Sequence, residues 1–295
     1  MASNLRPIVL STIALVPSVH GQSTLDPDLN DSLWAVWNDP NQPDSNKLKA
    51  MYDIAWDGYL FSQPDSAHYY SGLQLELARE SGQKRWEAKA WNLRGVSFFY
   101  RGDYPRGLEC LTECLQIQEA LGDDMGIAIT LGNIGNIHRD LGEHDQALAH
   151  HQRALSISER VHDSTGIAVA LNNMGGNYEA RGDYARAIDH YMRSLRIKER
   201  LGDERGIGNT LNNIGVLRMQ QKDYAEAMSY FLRSKVYRER LADNVGLGGL
   251  LANMAIVEEH SGSLDSARTL NELAMRTYEE AGHTPGLLLA GNNLG

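Results

Sequence analysis

Five asparagines recur at one spacing: Asn133, Asn173, Asn213, Asn253 and Asn293 stand 40 residues apart. A carboxamide carries an acceptor oxygen and two N–H donors, the set that pairs with the peptide groups of an extended chain, so the chemistry of this column is recognition rather than bond making. Other reactive residue types form weaker patterns. His138, His144, His150 and His151 crowd one stretch but lack the i, i+4 pairing and acidic partner of a zinc site. Their spacing assigns them to different helices and faces, as solvated or half-packed side chains. Cys110 and Cys114 are the two cysteines, too few for a disulfide framework, and read as buried thiols because a disulfide within one helix is geometrically restrictive. The glycines of GLGGLL from Gly246 follow no strand, so they are not a phosphate loop. A nucleophile elbow, an HExxH motif and carboxylates paired across a cleft are all missing from the sequence. No catalytic residue, metal or cofactor is expected.

The bulk composition fits that reading. With 42% hydrophobic and 22% charged residues, 28 glycines and 8 prolines, the chain has the make-up of a soluble folded protein. Lys and Arg number 28 against 38 Asp and Glu, and a formal net charge of −10 repels phosphate backbones and anionic head groups. Nucleic acid is therefore not an expected partner. Residues 1–21 hold Arg6, an apolar stretch from Ile8 to Val16, Pro17, and then Val19, His20 and Gly21. That is the layout of a secretory signal peptide, with cleavage between Gly21 and Gln22; the competing reading is a short buried helix. The apolar stretch is too short to be a membrane span. The expected location is outside the cytoplasm, in a bacterial periplasm or beyond.

The elements that must position the asparagines follow from the same period. Gly95, Gly135, Gly175, Gly215 and Gly295 share one register, with Ala55 and Ala255 in the remaining places. Ala67, Gly107, Ala147, Ala187, Ala227 and Ala267 share a second, and Glu119, Glu159, Glu199, Glu239 and Glu279 a third. A period of this length marks a solenoid whose units bury their apolar faces only by stacking. Between Gly166 and Asp203, Leu171, Met174 and Tyr178 form one helical stripe and Ala187, Ile188, Tyr191 and Leu195 another. Gly182 and Gly202 end helices, Asp183 and Asp203 cap the next ones, and Asp223 with Glu226 spells a capping box. Each unit is thus an antiparallel hairpin of helices of about 16 to 18 residues. Gly175, mid-helix, calls for close approach of the paired helix, since Gly there costs about 1 kcal/mol against Ala.

The order Leu171, Met174-Gly175, Tyr178, Ala187, Tyr191, Ser194 resembles the tetratricopeptide repeat pattern. A 40-residue unit, with Glu199 where a terminal Pro is usual, is most similar to the long Pins/LGN and kinesin light-chain type; residues 131–136 read LGNIGN. The likeness covers residues 46–285 and weakens at Ala55-Trp56 and at Glu258. It implies an all-α fold, a right-handed superhelix: six units and the start of a seventh over 46–295, with 22–45 as an acidic capping segment bearing Trp34 and Trp37.

The resemblance also implies that first helices line a concave groove and that the asparagine column points into it as a clamp for a peptide backbone. Asn172, Asn212 and Asn292 would widen the strip, and Asn136, Arg139, Glu179 and Asn209 share the projected face. The alternative is that these asparagines bond to neighbouring repeats or to water. The implied function is an exported module binding a protein or extended peptide. A second reading is the sensor region of a longer signalling protein with a kinase or cyclase output, because the chain stops at Gly295 inside a helix without the polar cap a solenoid needs. A third is a scaffold that self-associates end to end.

Overall fold

The computed structural model describes residues 25–283, 286–287 and 290–291. The signal-peptide stretch 1–21, Asn292, Asn293 and Gly295 lie outside the described residues. Within them the chain forms helices and no strand: α1 Pro27–Asn38, α2 Asp44–Asp53, α3 Pro64–Glu80, α4 Lys84–Tyr100, α5 Tyr104–Leu121, α6 Asp124–Asp140, α7 His144–Arg160, α8 Ser164–Ala180, α9 Tyr184–Leu201, α10 Glu204–Gln220, α11 Tyr224–Arg240, α12 Asn244–His260 and α13 Leu264–Glu280. None of them is long and apolar enough to cross a membrane.

The backbone repeats every half unit. From α3 onward a left-handed residue ends each helix, and where an aspartate follows it that side chain caps the next. Gly182 (φ 74°) and Gly202 (φ 68°) do the first, while Asp183 and Asp203 accept from the N–H groups of Arg186 and Gly206 at 3.1 and 2.9 Å. Asp223 caps in the same way, accepting from the Glu226 N–H at 3.2 Å, but the expected capping box is half-formed. The Asp223 N–H is already bound to the Arg218 carbonyl at 2.9 Å, so the Glu226 carboxylate turns to Arg218 Nε at 3.0 Å.

Each hairpin closes over a small residue. A Cβ on Gly175 would lie 2.7 Å from Tyr191 Cδ1, one on Gly95 2.7 Å from Leu111 Cγ, and one on Gly135 2.5 Å from His151 Cε1; at Gly215 it would meet Phe231. The glycine admits the side chain that the second helix lays across it. Ala187 and Ala227 are fully buried on that second helix. The first unit departs from two regular helices: α2 runs into a π-helical turn at Ile54–Tyr59, where Ala55 stands in the glycine register and is fully buried. Leu33, Trp34 and Trp37 of α1 pack on this hairpin's core of Met51, Ile54, Leu60 and Tyr70.

The hairpins stack in order, and the first helices also touch one another, α4 with α6, α6 with α8, α8 with α10 and α10 with α12. The second helices splay apart, so the stack curves toward the first-helix layer. That layer is the concave face. Its curvature brings Arg205 of α10 close enough to act on the Asp57 carboxyl in the π turn, four hairpins earlier; burial and Asp53 push that carboxyl up while Lys49 and Arg205 pull it down.

Candidate functional site

The concave face is built from four-residue steps along each first helix. In α6 the steps are Met125, Ile129 and Asn133, and in α8 Thr165, Val169 and Asn173. Asn133, Asn173, Asn213 and Asn253 are all half-buried on this face. Three of them reach back to the preceding unit. Asn133 Nδ2 donates to Asn92 Oδ1 at 3.5 Å, Asn213 to Asn172 at 3.5 Å and Asn253 to Asn212 at 3.2 Å. Asn172 also accepts from Thr210 Oγ1 at 3.1 Å. The ladder therefore ties repeats together, and each amide keeps a further donor and its own oxygen for a ligand. Asn173 differs because Gly132 stands where an asparagine would meet it, with Asn173 Nδ2 3.6 Å from the place of a Cβ there. It makes no side-chain hydrogen bond among the described residues.

Arg139 and Glu179, at the far end of the same helices, are brought together. The Arg139 guanidinium lies across α8 with Nη1 3.3 Å from the Cβ position of Gly176, where Tyr191 Oη is 3.4 Å away. Tyr191 Oη donates to Glu179 Oε2 at 2.7 Å, and Gln220 Nε2 donates to Oε1 at 3.0 Å. Burial pushes the Glu179 carboxyl up against the pull of these donors and of Arg139. Asn136 buries its Oδ1 without a partner beside them. Asn209 is exposed one turn before Asn213 on α10 and accepts from Arg238 Nη2 at 3.0 Å, apart from this cluster.

Three residues of the face are absent from the sequence-derived set. Met125, Ile129 and Val169 are 56%, 59% and 48% exposed, side by side on α6 and α8. The signal was available, since Ile129 and Val169 share the 40-residue register of Asn209, but apolar residues in a helix read as core. The histidines need a correction. His138 and His150 lie on different helices yet meet, their rings stacked 5.2 Å apart at 1°, because facing helices of a hairpin bring positions 12 apart together. His144 exchanges hydrogen bonds with Asn177, and His151 is fully buried. Cys110 and Cys114 are free, buried thiols, Cys114 pushed up to about 11 by burial. Among the described residues no three His, Cys, Asp or Glu side chains gather as a metal site.

Two sequence profiles described as Tetratricopeptide repeat match residues 126–200 and 208–235. No curated protein sequence matches the chain. Solved structures share the fold at low identity. BtubC (BKLC) from P. vanneervenii is 19% identical, with 75% of this chain and 92% of that one covered at a TM-score of 0.60. Aspartyl phosphate phosphatase F from Bacillus subtilis is 15% identical over 89% and 76% of the two chains, TM-score 0.63. NprR in complex with its cognate peptide NprX is 17% identical over 89% and 82%, TM-score 0.60. The period, the stacked hairpins and the matched stretches agree: residues 126–200 and 208–235 match tetratricopeptide repeats, and the chain has the tetratricopeptide-repeat fold.

Proposed function

We propose that this protein is an interaction module that holds a peptide or protein segment along its concave face. The observation that carries the reading is the apolar group Met125, Ile129 and Val169, left in water where the first helices converge and flanked by asparagines with unspent amide groups. A segment laid there would bury those side chains while the amides pair with its peptide groups. The likeness to a chain solved with a peptide in place supports the reading through the fold. Export belongs to the same proposal: residues 1–21 have the signal-peptide layout, so the partner is met outside the cytoplasm.

The test is site-specific photocrosslinking in the source cells. A benzophenone residue is placed at Val169 in the groove or at Leu232, which is 50% exposed on α11 in the outer layer. We expect a discrete partner adduct from position 169 and none from 232. Adducts from 232 alone, or from neither position, would reject the groove.

A further inference from the structure

Arginines of the second helices tie two hairpins, α6–α7 and α10–α11, to the one before. Arg153 of α7 reaches Glu119 of α5 at 3.0 Å, and Arg233 of α11 faces Glu199 of α9 at 4.0 Å. A second rung lies within the hairpin and joins Arg160 of α7 to Asp124 of α6 at 2.8 Å and Arg240 of α11 to Glu204 of α10 at 2.5 Å. The hairpin α8–α9 breaks both rungs. Arg193, in the register of Arg153 and Arg233, has Glu159 in the place of Glu119 and Glu199 but pairs with Asp189 on its own helix at 3.6 Å. Arg200, in the register of Arg160 and Arg240, finds Ser164 where its equivalents find Asp124 and Glu204. Arg196 stands where neighbouring hairpins have Gln116, Ser156 and Val236. Arg196 and Arg200 have no ion pair among the described residues.

These side chains border an open furrow. Arg193, Arg196, Ile197, Glu199 and Arg200 of α9 and Ile167 and Leu171 of α8 line a space of about 710 Å³. Its one lining acid, Glu199, already faces Arg233. Between Ile197 and Glu199 in the chain, the buried Lys198 turns instead to the next hairpin and donates to Thr210 Oγ1 of α10 at 2.8 Å. On a chain of net charge −10 the furrow is a local reversal of sign.

We propose that the furrow is a second binding site, for an acidic segment of a partner protein that carries aliphatic side chains between its carboxylates. The three guanidiniums span roughly 10 Å along α9, at about 1.5 Å per residue. A lone small anion would engage part of that span and leave the isoleucine and leucine floor uncovered. The rungs on either side show that an arginine in the register of Arg200 is met by a carboxylate, and here that carboxylate comes from outside. The site is separate from the concave face and does not depend on the groove reading.

The test uses a fluorescein-labelled synthetic peptide with glutamates at i, i+3 and i+7 and leucines between them, and a second peptide with glutamines for the glutamates. Binding is followed by anisotropy. We expect the wild type to bind the glutamate peptide, and Arg196→Glu with Arg200→Glu to weaken it about tenfold or more, as loss of charge-assisted hydrogen bonds does. Ser164→Asp, which returns the missing counter-ion to Arg200, should weaken binding while circular dichroism stays helical. Val169→Glu should leave it unchanged, so failure of the groove and failure of the furrow are told apart. The proposal is overturned if the wild type binds neither peptide or both equally, if Ser164→Asp and the double variant bind as the wild type does, or if millimolar inorganic phosphate alone displaces the peptide.

Discussion

His151 occupies in α7 the place that Leu111, Tyr191 and Phe231 hold in other hairpins, against the glycine of the facing helix. It is fully buried, and neither ring nitrogen has a partner. A neutral imidazole left so costs about 1 to 3 kcal/mol. Burial, with Arg139 and His150 nearby, holds its pKa down to about 3. Below the ordinary value of about 6.5 the unfolded chain binds a proton that the folded one refuses. The contribution to stability is therefore complete above about 6.5 and declines as pH falls toward 3, by about 1.4 kcal/mol per pH unit. His151→Phe, the residue that Phe231 already fits against Gly215, should raise stability at neutral pH by about 1 to 2 kcal/mol. Its advantage should widen from pH 6.5 to 4.5, and denaturant unfolding of both proteins at those pH values measures it. His68, held down at about 4, is common to both proteins and cancels in the comparison. An advantage that stays flat with pH would show that His151 is hydrated or paired.

At the scale of the element, the left-handed turn residue separates good helix ends from strained ones. Glycine fills it at positions such as 102, 122, 182 and 202, but His162, Lys222 and Ala242 adopt φ of 56°, 64° and 50° with side chains attached. An L-residue there costs about 1 to 2 kcal/mol, offset in part by the entropy a glycine adds to the unfolded chain. Ala242 is exposed and has no side chain able to bond locally. Ala242→Gly should stabilise by about 0.5 to 1 kcal/mol, seen as a later unfolding midpoint with an unchanged helical spectrum. A loss of stability would mean that the α11–α12 turn relaxes without the left-handed residue.

The whole molecule assigns two kinds of work to one asparagine column. Asn213 donates to Asn172 of the previous unit, while Asn173 faces Gly132 and has no such partner. Asn213→Ala should cost about 0.5 to 1.5 kcal/mol of stability through the lost contact between repeats. Asn173→Ala should leave unfolding within about 0.5 kcal/mol of wild type and lower the yield of the crosslink formed in the groove. Denaturation and crosslinking on the same two variants measure both effects. Equal behaviour of the two would mean that the column serves a single role along the stack.

Much of the fold was legible without coordinates because it is local. A glycine that ends a helix, an aspartate that caps the next, and a stripe of Leu171, Met174 and Tyr178 repeat at an interval the eye can find, and a solenoid is made of nearest-neighbour contacts. Periodicity alone specified the hairpin, its helix lengths and the need for Gly175. What tertiary structure decided are the encounters between residues about 36 to 41 apart and between facing helices. The bond from Asn213 to Asn172, the stacking of His138 on His150 and the missing acid beside Arg200 each depend on how one hairpin is rotated on the next. Exposure is of the same kind. Ile129 and Val169 carry an ordinary apolar signature, and only the curvature of the stack, set by first helices whose backbones pack closely and second helices whose backbones stand further apart, leaves them in water on the concave face.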